Sequence, residues 1–414
     1  MGAFVVTFLA RIFGAAAAIL LGAVTARMLG REARGAVETF VVLRLALHAV
    51  ASLGGSQAAT WVVARAPESL RAAARGGLAW GLSAGLVAGL AIAAAAFAHP
   101  AWFEPVPPVW VALFAAAAPA ALATHVAGGV LLGAHRVHAW NVVAVAYRAS
   151  MLLLLALLAV PALRRIETVV LALVVAEAVA LAVTLAALPR GARMPARTEF
   201  ARAPGVRRYA RSAWTHAALS FALLSADVLV LGAWAGNEEL GLYAAAALAR
   251  QVLLFLPWIA GLLFFPKVAS ATRAGQGTAA TRPRAMGPVP IAIVVVATAL
   301  LLAFPREFVT GVHGDRFADA ARLVRILVPA AILTGVANLA LQELLGRGAP
   351  RATWLAPGAA LTADMIGNVL WIPRHGALGT AWAALAASVV LLAVAMAGLW
   401  RARRGTTVSG PTGP

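Results

Sequence analysis

Residues 30–44 read GREARGAVETFVVLR, and residues 236–250 read GNEELGLYAAAALAR. Both stretches begin with the pattern Gly-x-Glu-x-x-Gly, and both end on an arginine that is surrounded by apolar residues. The two copies are separated by almost half of the 414-residue chain. This spacing predicts that the protein consists of two copies of one structural unit.

The composition is that of a membrane protein. Hydrophobic residues make up 62% of the chain and charged residues 12%, and the mean hydropathy is +0.88. This is more apolar surface than a water-soluble core can bury. Because one helical crossing of a bilayer needs about 20 apolar residues, the chain has room for about a dozen crossings.

Twelve apolar segments have the length of a membrane-spanning helix, and their uninterrupted Ala, Leu and Val runs lack the alternation of a transmembrane barrel. They are 6–28, 37–64, 78–98, 107–133, 140–162, 167–188, 210–235, 241–265, 288–305, 322–345, 353–373 and 377–400.

These segments predict an all-α, polytopic integral membrane protein. We expect two six-helix bundles, at 1–188 and 210–400, joined by a basic cytoplasmic linker at 189–209 and followed by a cytoplasmic tail at 401–414. Two copies with an even number of crossings have the same orientation, so a pseudo-two-fold axis along the membrane normal would relate them around a central cavity.

The net charge of +19 is explained by basic loops on the cytoplasmic side of a membrane protein, and we do not interpret it as a sign of nucleic-acid binding. With both termini in the cytoplasm, most loop arginines lie on the cytoplasmic side, as the positive-inside rule requires. The N-terminal apolar stretch lacks a preceding basic region, so we interpret it as the first crossing and not as a cleavable signal. The basic linker is interpreted as a topology anchor, with anionic-lipid binding as the alternative.

Arg44 and Arg250 lie at equivalent positions in the second and eighth predicted crossings. A charge inside the bilayer is costly, so such residues usually line a protein cavity and have a function. Two guanidinium groups at one cavity would bind a dianion such as a phosphate or pyrophosphate. The alternative is a structural ion pair, for which Asp227 in the seventh crossing is at the right depth for Arg250.

Several other polar residues are candidates for the cavity. His48 shares a helix face with Arg44, and Arg27 is a further candidate near the outer end of the first crossing unless it snorkels to the interface. Asp364, Glu343 and Glu177 are candidate proton or cation carriers, with protonated carboxyls hydrogen-bonded between helices as the alternative.

The sequence offers no catalytic motif. It contains no cysteine, no HExxH, no nucleophile elbow and no Walker loop. His135 and His138 have a metal-like spacing but no third ligand nearby, so we interpret them as loop residues. We therefore expect a protein that is not an enzyme and that uses no cofactor and no metal.

Four stretches resemble the Wzx-type polysaccharide flippases of the multidrug/oligosaccharidyl-lipid/polysaccharide (MOP) transporter superfamily. They are TARMLGREARGAVETF, SADVLVLGAWAGNEELGLYAAAALARQVLLFLPWIAGLLFFPKVA, GDRFADAARLVRILVPAAILTGVANLALQELLGRGAPR and GNVLWIPRHGALGTAWAALAAS.

The resemblance implies two six-helix bundles around a cationic cavity. Related lipid-linked precursor flippases carry cavity arginines on helices 2 and 8, which supports that role for Arg44 and Arg250, and Asp227 matches an aspartate usual in the helix 7 block. Cell-wall precursor flippases of this superfamily typically have two further C-terminal helices. The twelve segments found here favour the polysaccharide branch.

The expected function is translocation of a polyprenyl-(pyro)phosphate-linked oligosaccharide across the inner membrane of a bacterium by alternating access, for cell-surface polysaccharide biosynthesis. Its partners would be membrane lipids, the lipid-linked oligosaccharide, and polysaccharide polymerase or assembly proteins, but not nucleic acid. Two alternatives are an organic-cation or multidrug antiporter of the same superfamily and a membrane-embedded glycan polymerase or ligase. The second would use outer-face residues such as His313, Asp315 and Arg316.

Overall fold

A computed structural model describes residues 2–103, 106–196, 200, 204–273, 288–348 and 351–405, apart from some side chains within the helices. These residues form helices and turns, with no strand among them. The chain divides into two compact units, Met1–Trp214 and Thr215–Pro414. The boundary lies inside a long helix, slightly beyond the predicted linker.

In unit 1, the described residues include the following complete α-helices. They are α1 (Gly2–Ala46), α2 (Gly55–Arg65), α3 (Leu70–Ala98), α4 (Pro108–Ala116), α5 (Ala118–Gly133), α6 (Val137–Leu155) and α7 (Ile166–Ala187).

Unit 2 contains most of α8 (Pro204–Arg273), followed by α9 (Pro288–Ala303), α10 (Pro305–His313), α11 (Ala320–Gly346) and α12 (Ala352–Gly405). The break between α9 and α10 bends that apolar pair by 90°. Gly376 lies inside α12 with φ 52° and ψ −131°, so this helix consists of two limbs. They correspond to the predicted crossings 353–373 and 377–400.

The described residues include seven helices that are long and apolar enough to cross a membrane, or eight if the bent pair is one span. The spans are Pro67–Ala98, Pro108–Gly133, Val137–Ala159, Ile166–Ala187, Gly241–Thr272, Ala320–Gly346 and Ala352–Arg404. One of these spans, Ala352–Arg404, contains two predicted crossings. The prediction of an all-helical, polytopic membrane protein is confirmed.

The 70 residues of α8 do not form one straight rod. Arg250 Nη1 lies 3.1 Å from Asp227 Oδ2, although the two residues are 23 positions apart. In a straight helix they would be about 35 Å apart along the axis. The helical run therefore folds back on itself between the two residues.

The repeated Gly-x-Glu-x-x-Gly pattern lies within helical backbone in both copies. A glycine often ends a helix in the left-handed conformation, but helical backbone continues through both Gly30 and Gly236. The chain nevertheless reverses near the second copy, as the contact between Asp227 and Arg250 shows. In the described residues, left-handed glycines occur at other positions, including Gly54.

The predicted crossing 37–64 is broken near its middle. After α1 the chain forms a π-helical turn, Leu47–Ala51, and Gly54 has φ 73° before α2 begins. The indole N–H of Trp80 donates to the Ser52 carbonyl at 3.1 Å, and that of Trp214 donates to the Val50 carbonyl at 2.8 Å. The same two carbonyls also accept backbone N–H groups of the turn, from Gly55 at 2.9 Å and from Leu53 at 3.2 Å, so the backbone stays hydrogen-bonded where the helical pattern is interrupted.

Small residues bring α3 and α5 into close contact. A Cβ atom at Gly81, Gly85 or Gly89 would come within 2.4 to 2.5 Å of backbone atoms of residues 115–123. Side chains of any size are excluded at these positions, since real Cβ contacts are longer. Close packing of this kind is typical of membrane helices, which lack a hydrophobic driving force between them. It fixes the position of α5 in unit 1.

Candidate functional site

Arg44 is the centre of a polar cluster that three helices of unit 1 build. From α1, its Nε donates a hydrogen bond to Glu177 Oε1 on α7. Its guanidinium carbon lies 4.0 Å from the centre of the Tyr147 ring on α6. Arg44 is thus held by an ion pair and by a cation–π contact, both of which are strengthened by removal from water.

The pairing of Arg44 leaves bonding capacity on both partners. Arginine has five N–H donors, and among the described residues only Nε of Arg44 has a hydrogen-bond partner. The Arg44 side chain is 24% exposed, whereas that of Glu177 is 4% exposed. Glu177 Oε2 is buried without a hydrogen-bond partner. A further anion could therefore bind the terminal nitrogens of Arg44, either beside the ion pair with Glu177 or in place of it.

His48 is stacked on a second histidine of unit 1. The rings of His48 and His125 are nearly parallel, at 6°, with centroids 4.5 Å apart. His48 belongs to the π-helical turn after α1, and His125 belongs to α5. Both Nε2 atoms are buried without a hydrogen-bond partner. π-helical turns are rare and are frequent at functional sites.

Two further arginines increase the positive charge around Arg44. Arg148, one residue after Tyr147, lies against Gly14, where a Cβ atom would be 2.7 Å from its Nε. The Arg11 guanidinium carbon lies 4.7 Å from the centre of the Trp140 ring. Among the described side chains, Arg44 acts electrostatically on Arg148, and Arg148 acts on Arg11, whereas Glu177 is the carboxylate that pairs with Arg44. The cluster is therefore cationic overall.

Arg250 is the centre of the corresponding cluster in unit 2, which has the opposite balance. Its Nη1 donates to Asp227 Oδ2 at 3.1 Å, and the Tyr243 hydroxyl donates to the same oxygen. The Asp364 carboxyl on α12 is in hydrogen-bond contact with that of Asp227. Asn368 donates to Asp364 Oδ2 at 3.1 Å. One guanidinium thus faces two carboxyl groups.

A small cavity lies against the Arg250 cluster. It has a volume of about 30 Å³ and is lined by Asp227, Arg250, Asp364, Thr334, Ser388 and apolar residues. This volume holds one or two water molecules or a small cation. Asp227 Oδ1 and Asp364 Oδ1 are buried without a hydrogen-bond partner, so both carboxyls have an acceptor left for such an occupant.

Glu343 lies apart from the Arg250 cluster. Its Oε1 accepts from Arg347 Nη2 at 2.8 Å, and its Oε2 accepts from Arg403 Nη2 at 2.7 Å. The carboxylate is thus shared by two arginines. Arg347 directly follows α11, and Arg403 lies near the end of α12. Of the predicted coupling residues, the structure brings Asp227 and Asp364 together but not Glu343.

Arg27 lies in the helical backbone of α1, but its side chain is outside the described residues. His313 and Arg316 of the alternative outer-face site are also outside the described side chains, while Asp315 begins a short 3-10 turn and is exposed. The structure thus places Arg44 with His48, and Arg250 with Asp227 and Asp364.

Sequence reasoning missed His125, Tyr147 and Tyr243 as members of the two clusters. A signal was present, because the chain contains only 3 tyrosines and two of them contact the charged residues. A tyrosine inside an apolar helix needs a partner for its hydroxyl or its ring face. The same reasoning applies to a histidine, but His125 has no neighbouring polar residue on its helix except Thr124.

Solved structures of membrane transporters share the fold of nearly the whole chain. A MATE transporter in the bent conformation superposes with a TM-score of 0.79 at 15% identity, over 98% of this chain and 95% of that one. A Vibrio cholerae MATE transporter in the bent form matches with a TM-score of 0.77 at 14% identity, over 98% of both chains.

A third structure is a MOP superfamily transporter from Pyrococcus furiosus, described as having a binding pocket of reverse polarity that suggests a different function. It matches with a TM-score of 0.76 at 14% identity, over 98% of this chain and 95% of that one. No protein-family model matches the sequence, and no curated protein does so significantly. The chain therefore has the MATE fold, which contains 12 helices in two bundles.

Proposed function

We propose that the protein is a membrane transporter that translocates a polyprenyl-(pyro)phosphate-linked oligosaccharide by alternating access of its two bundles. The observation that carries this proposal is the cationic cluster around Arg44, where Arg148 and Arg11 add positive charge and Glu177 is the carboxylate paired with Arg44 among the described side chains. A cluster with excess positive charge inside a membrane is suited to an anionic substrate. Unaided, the charged headgroup and sugar hydroxyls of such a lipid do not cross hydrocarbon.

Arg44 is the primary phosphate ligand in this proposal. Its terminal nitrogens can bind two phosphate oxygens in the paired geometry that guanidinium favours. A dianionic phosphate competes well with the single charge of Glu177 for this guanidinium. His48, in the π-helical turn that follows α1, contributes an imidazole nitrogen. Tyr147 holds the guanidinium plane in place through its ring.

Arg250 is the second proposed phosphate ligand, and Asp227 controls it. While Asp227 is ionised, its charge neutralises Arg250 and the pair offers little to an anion. Protonation of Asp227, or binding of a cation beside it, would weaken this ion pair and release the guanidinium for the substrate. The contact between the carboxyls of Asp227 and Asp364 makes this pair the proposed coupling site, because two adjacent carboxyls readily share a proton.

A second candidate function is antiport of an organic cation, and a specific observation favours it. The cavity beside Asp227 and Asp364 carries two carboxyl groups with buried acceptor atoms, which would suit a cationic group. Its volume of about 30 Å³ is nevertheless that of a water or a metal-sized cation and is well below the 300 Å³ or more of typical drug pockets. We therefore assign this cavity to the coupling ion.

The proposal places the protein in the cytoplasmic membrane of a bacterium with both termini in the cytoplasm. Membrane lipids and polysaccharide polymerase or assembly proteins would be its partners. A membrane-embedded polymerase or ligase would instead need catalytic groups on the outer face, and the exposed position of Asp315 offers no enclosed site for them.

The test is lipid mass spectrometry of a strain that lacks the protein, combined with an impermeant probe of surface glycans. We expect complete lipid-linked oligosaccharides to accumulate and to be inaccessible from outside. Accumulation on the outer leaflet would indicate a polymerase or ligase instead. No accumulation at all would favour the antiporter, and complementation with an Arg44→Glu variant would then restore the phenotype of the wild type.

A further inference from the structure

The stacked pair of His48 and His125 has a feature that anion binding by Arg44 alone does not explain. Both Nε2 atoms are buried, and neither has a hydrogen-bond partner among the described residues. A buried polar atom without a partner is unfavourable, because it has lost its hydrogen bonds to water. Two such atoms on stacked rings, beside a cationic cluster, indicate that their partner is a ligand that the protein binds transiently.

The chemistry of the surroundings restricts this ligand. Arg44 acts electrostatically on both imidazoles, and His125 acts on His48. Glu177, Tyr147 and Arg148, from α6 and α7, interact with Arg44. The charged group that acts on both rings is thus a guanidinium, which disfavours a metal cation between the rings. An anionic oxygen is the ligand that both Arg44 and a protonated imidazole attract.

Charge then links anion binding to proton binding. With the site empty, the guanidinium of Arg44 opposes a positive charge on either ring. A phosphate group beside Arg44 reverses the sign of the local potential, so that one imidazole gains a proton and donates to a phosphate oxygen through Nε2. Only one ring becomes charged, because two imidazolium rings 4.5 Å apart would repel each other strongly.

We infer that His48 and His125 form a proton-binding phosphate subsite, so that the anionic headgroup and one proton from the aqueous phase bind unit 1 together. The inference rests on the proposed function, because it assumes a phosphate-containing substrate at Arg44. It goes further by adding His125 as a ligand and by making substrate binding in unit 1 dependent on pH. The proton taken up there would partly neutralise the headgroup during translocation.

The test is calorimetric titration of the full-length protein in lipid nanodiscs with farnesyl pyrophosphate, a short-chain probe of the headgroup. Titrations in buffers that differ in ionisation enthalpy count the protons that accompany binding. We expect uptake of about one proton at neutral pH by the wild type and an affinity that rises about tenfold as pH falls from about 8.5 to about 6.

The variant His125→Gln separates titration from hydrogen bonding. A glutamine amide can still donate and accept at this position, but it does not take up a proton. We expect this variant to bind the probe as tightly as the wild type at about pH 8.5 and about tenfold more weakly than the wild type at about pH 6. The variant protein should also take up fewer protons on binding than the wild-type protein. The probe's own protonation contributes equally to both proteins. The matched control is His138→Gln, since His138 is exposed.

A second measurement, on the wild-type protein, tests the inference even if His125→Gln fails to fold. In the wild type labelled with ¹⁵N-histidine, farnesyl pyrophosphate should shift an Nε2 resonance from the neutral to the protonated range, and His48→Gln should abolish that shift. If the wild type does not bind the probe, the proposed function fails at this site. If Arg44→Gln abolishes binding but His125→Gln behaves like His138→Gln at both pH values, the inference about the histidine pair is overturned while the proposed function stands.

Discussion

The clusters around Arg44 and Arg250 start from equivalent sequence positions and end with different balances of basic and acidic groups. Each contains an arginine, a carboxylate from another helical segment and a tyrosine. In unit 1 the additional groups are arginines and histidines, whereas in unit 2 they are Asp364 and Asn368. A duplicated motif has thus been given two environments, one suited to an anion and one suited to a cation.

Under the proposed function, this difference separates the binding of the substrate from the binding of the coupling ion. An anionic substrate and a coupling cation cannot share one small site without neutralising each other's contacts. Placing them in different copies of the repeat lets each site keep a favourable potential.

The largest expected effect is that of reversing the charge at Arg44. In Arg44→Glu the new carboxylate lies beside that of Glu177. We expect binding of farnesyl pyrophosphate to weaken by more than about 100-fold. Each lost contact to a charged group contributes about 1.5–3 kcal/mol, and repulsion of the phosphate by the carboxylates adds to the loss. Arg250→Glu should reduce binding less, because Asp227 already neutralises Arg250. Equal losses in calorimetric titrations of the two variants would remove the proposed difference between the units.

The next effect concerns stability. Asp227→Ala leaves the buried guanidinium of Arg250 without its ion-pair partner, and we expect a loss of about 3–5 kcal/mol in the free energy of unfolding. The double variant Asp227→Leu with Arg250→Met should recover most of it, since an apolar pair needs no neutralisation. Equilibrium unfolding in denaturing detergent measures both values, and failure of the double variant to recover would argue against the pair as the cause.

The two tyrosines should respond differently to loss of the hydroxyl group. Tyr243→Phe removes a hydrogen bond to Asp227, so we expect destabilisation of about 1–3 kcal/mol. Tyr147→Phe retains the ring that faces Arg44, and it should change the free energy of unfolding by less than about 0.5 kcal/mol. The same unfolding assay makes the comparison, and a larger loss for Tyr147→Phe would contradict it.

The smallest effect is expected at the carboxylate that lies outside both clusters. The Arg403 side chain is 45% exposed, and Arg347 still pairs with Glu343 in its absence. Arg403→Gln should therefore cost less than about 1 kcal/mol of stability and leave the cation dependence of transport unchanged. A changed cation dependence in vesicle transport assays would return Glu343 to the coupling residues.

The fold class and the polar residues inside the membrane could be predicted from the sequence, but their partners could not. The spacing of the repeat pointed to Arg44 and Arg250, and the depth of Asp227 pointed to its pairing with Arg250. Glu177 was recognised as an isolated acidic residue, yet nothing in its neighbourhood linked it to Arg44, which is 133 positions away. The break after α1 was also missed, although residues 52–57 read SLGGSQ, a Gly- and Ser-containing interruption that is typical of a turn.

The sequence by itself determined that this is a helical membrane protein with an internal repeat, because hydropathy and spacing are properties of the chain that no packing can change. Only the tertiary structure decided the sign of the charge around each arginine. That sign depends on which face each helix turns toward its neighbours, and the rotation of a helix follows from contacts such as those of Gly81 and Gly85 with α5. These contacts join residues far apart in sequence, and so the same motif acquired different surroundings in the two halves.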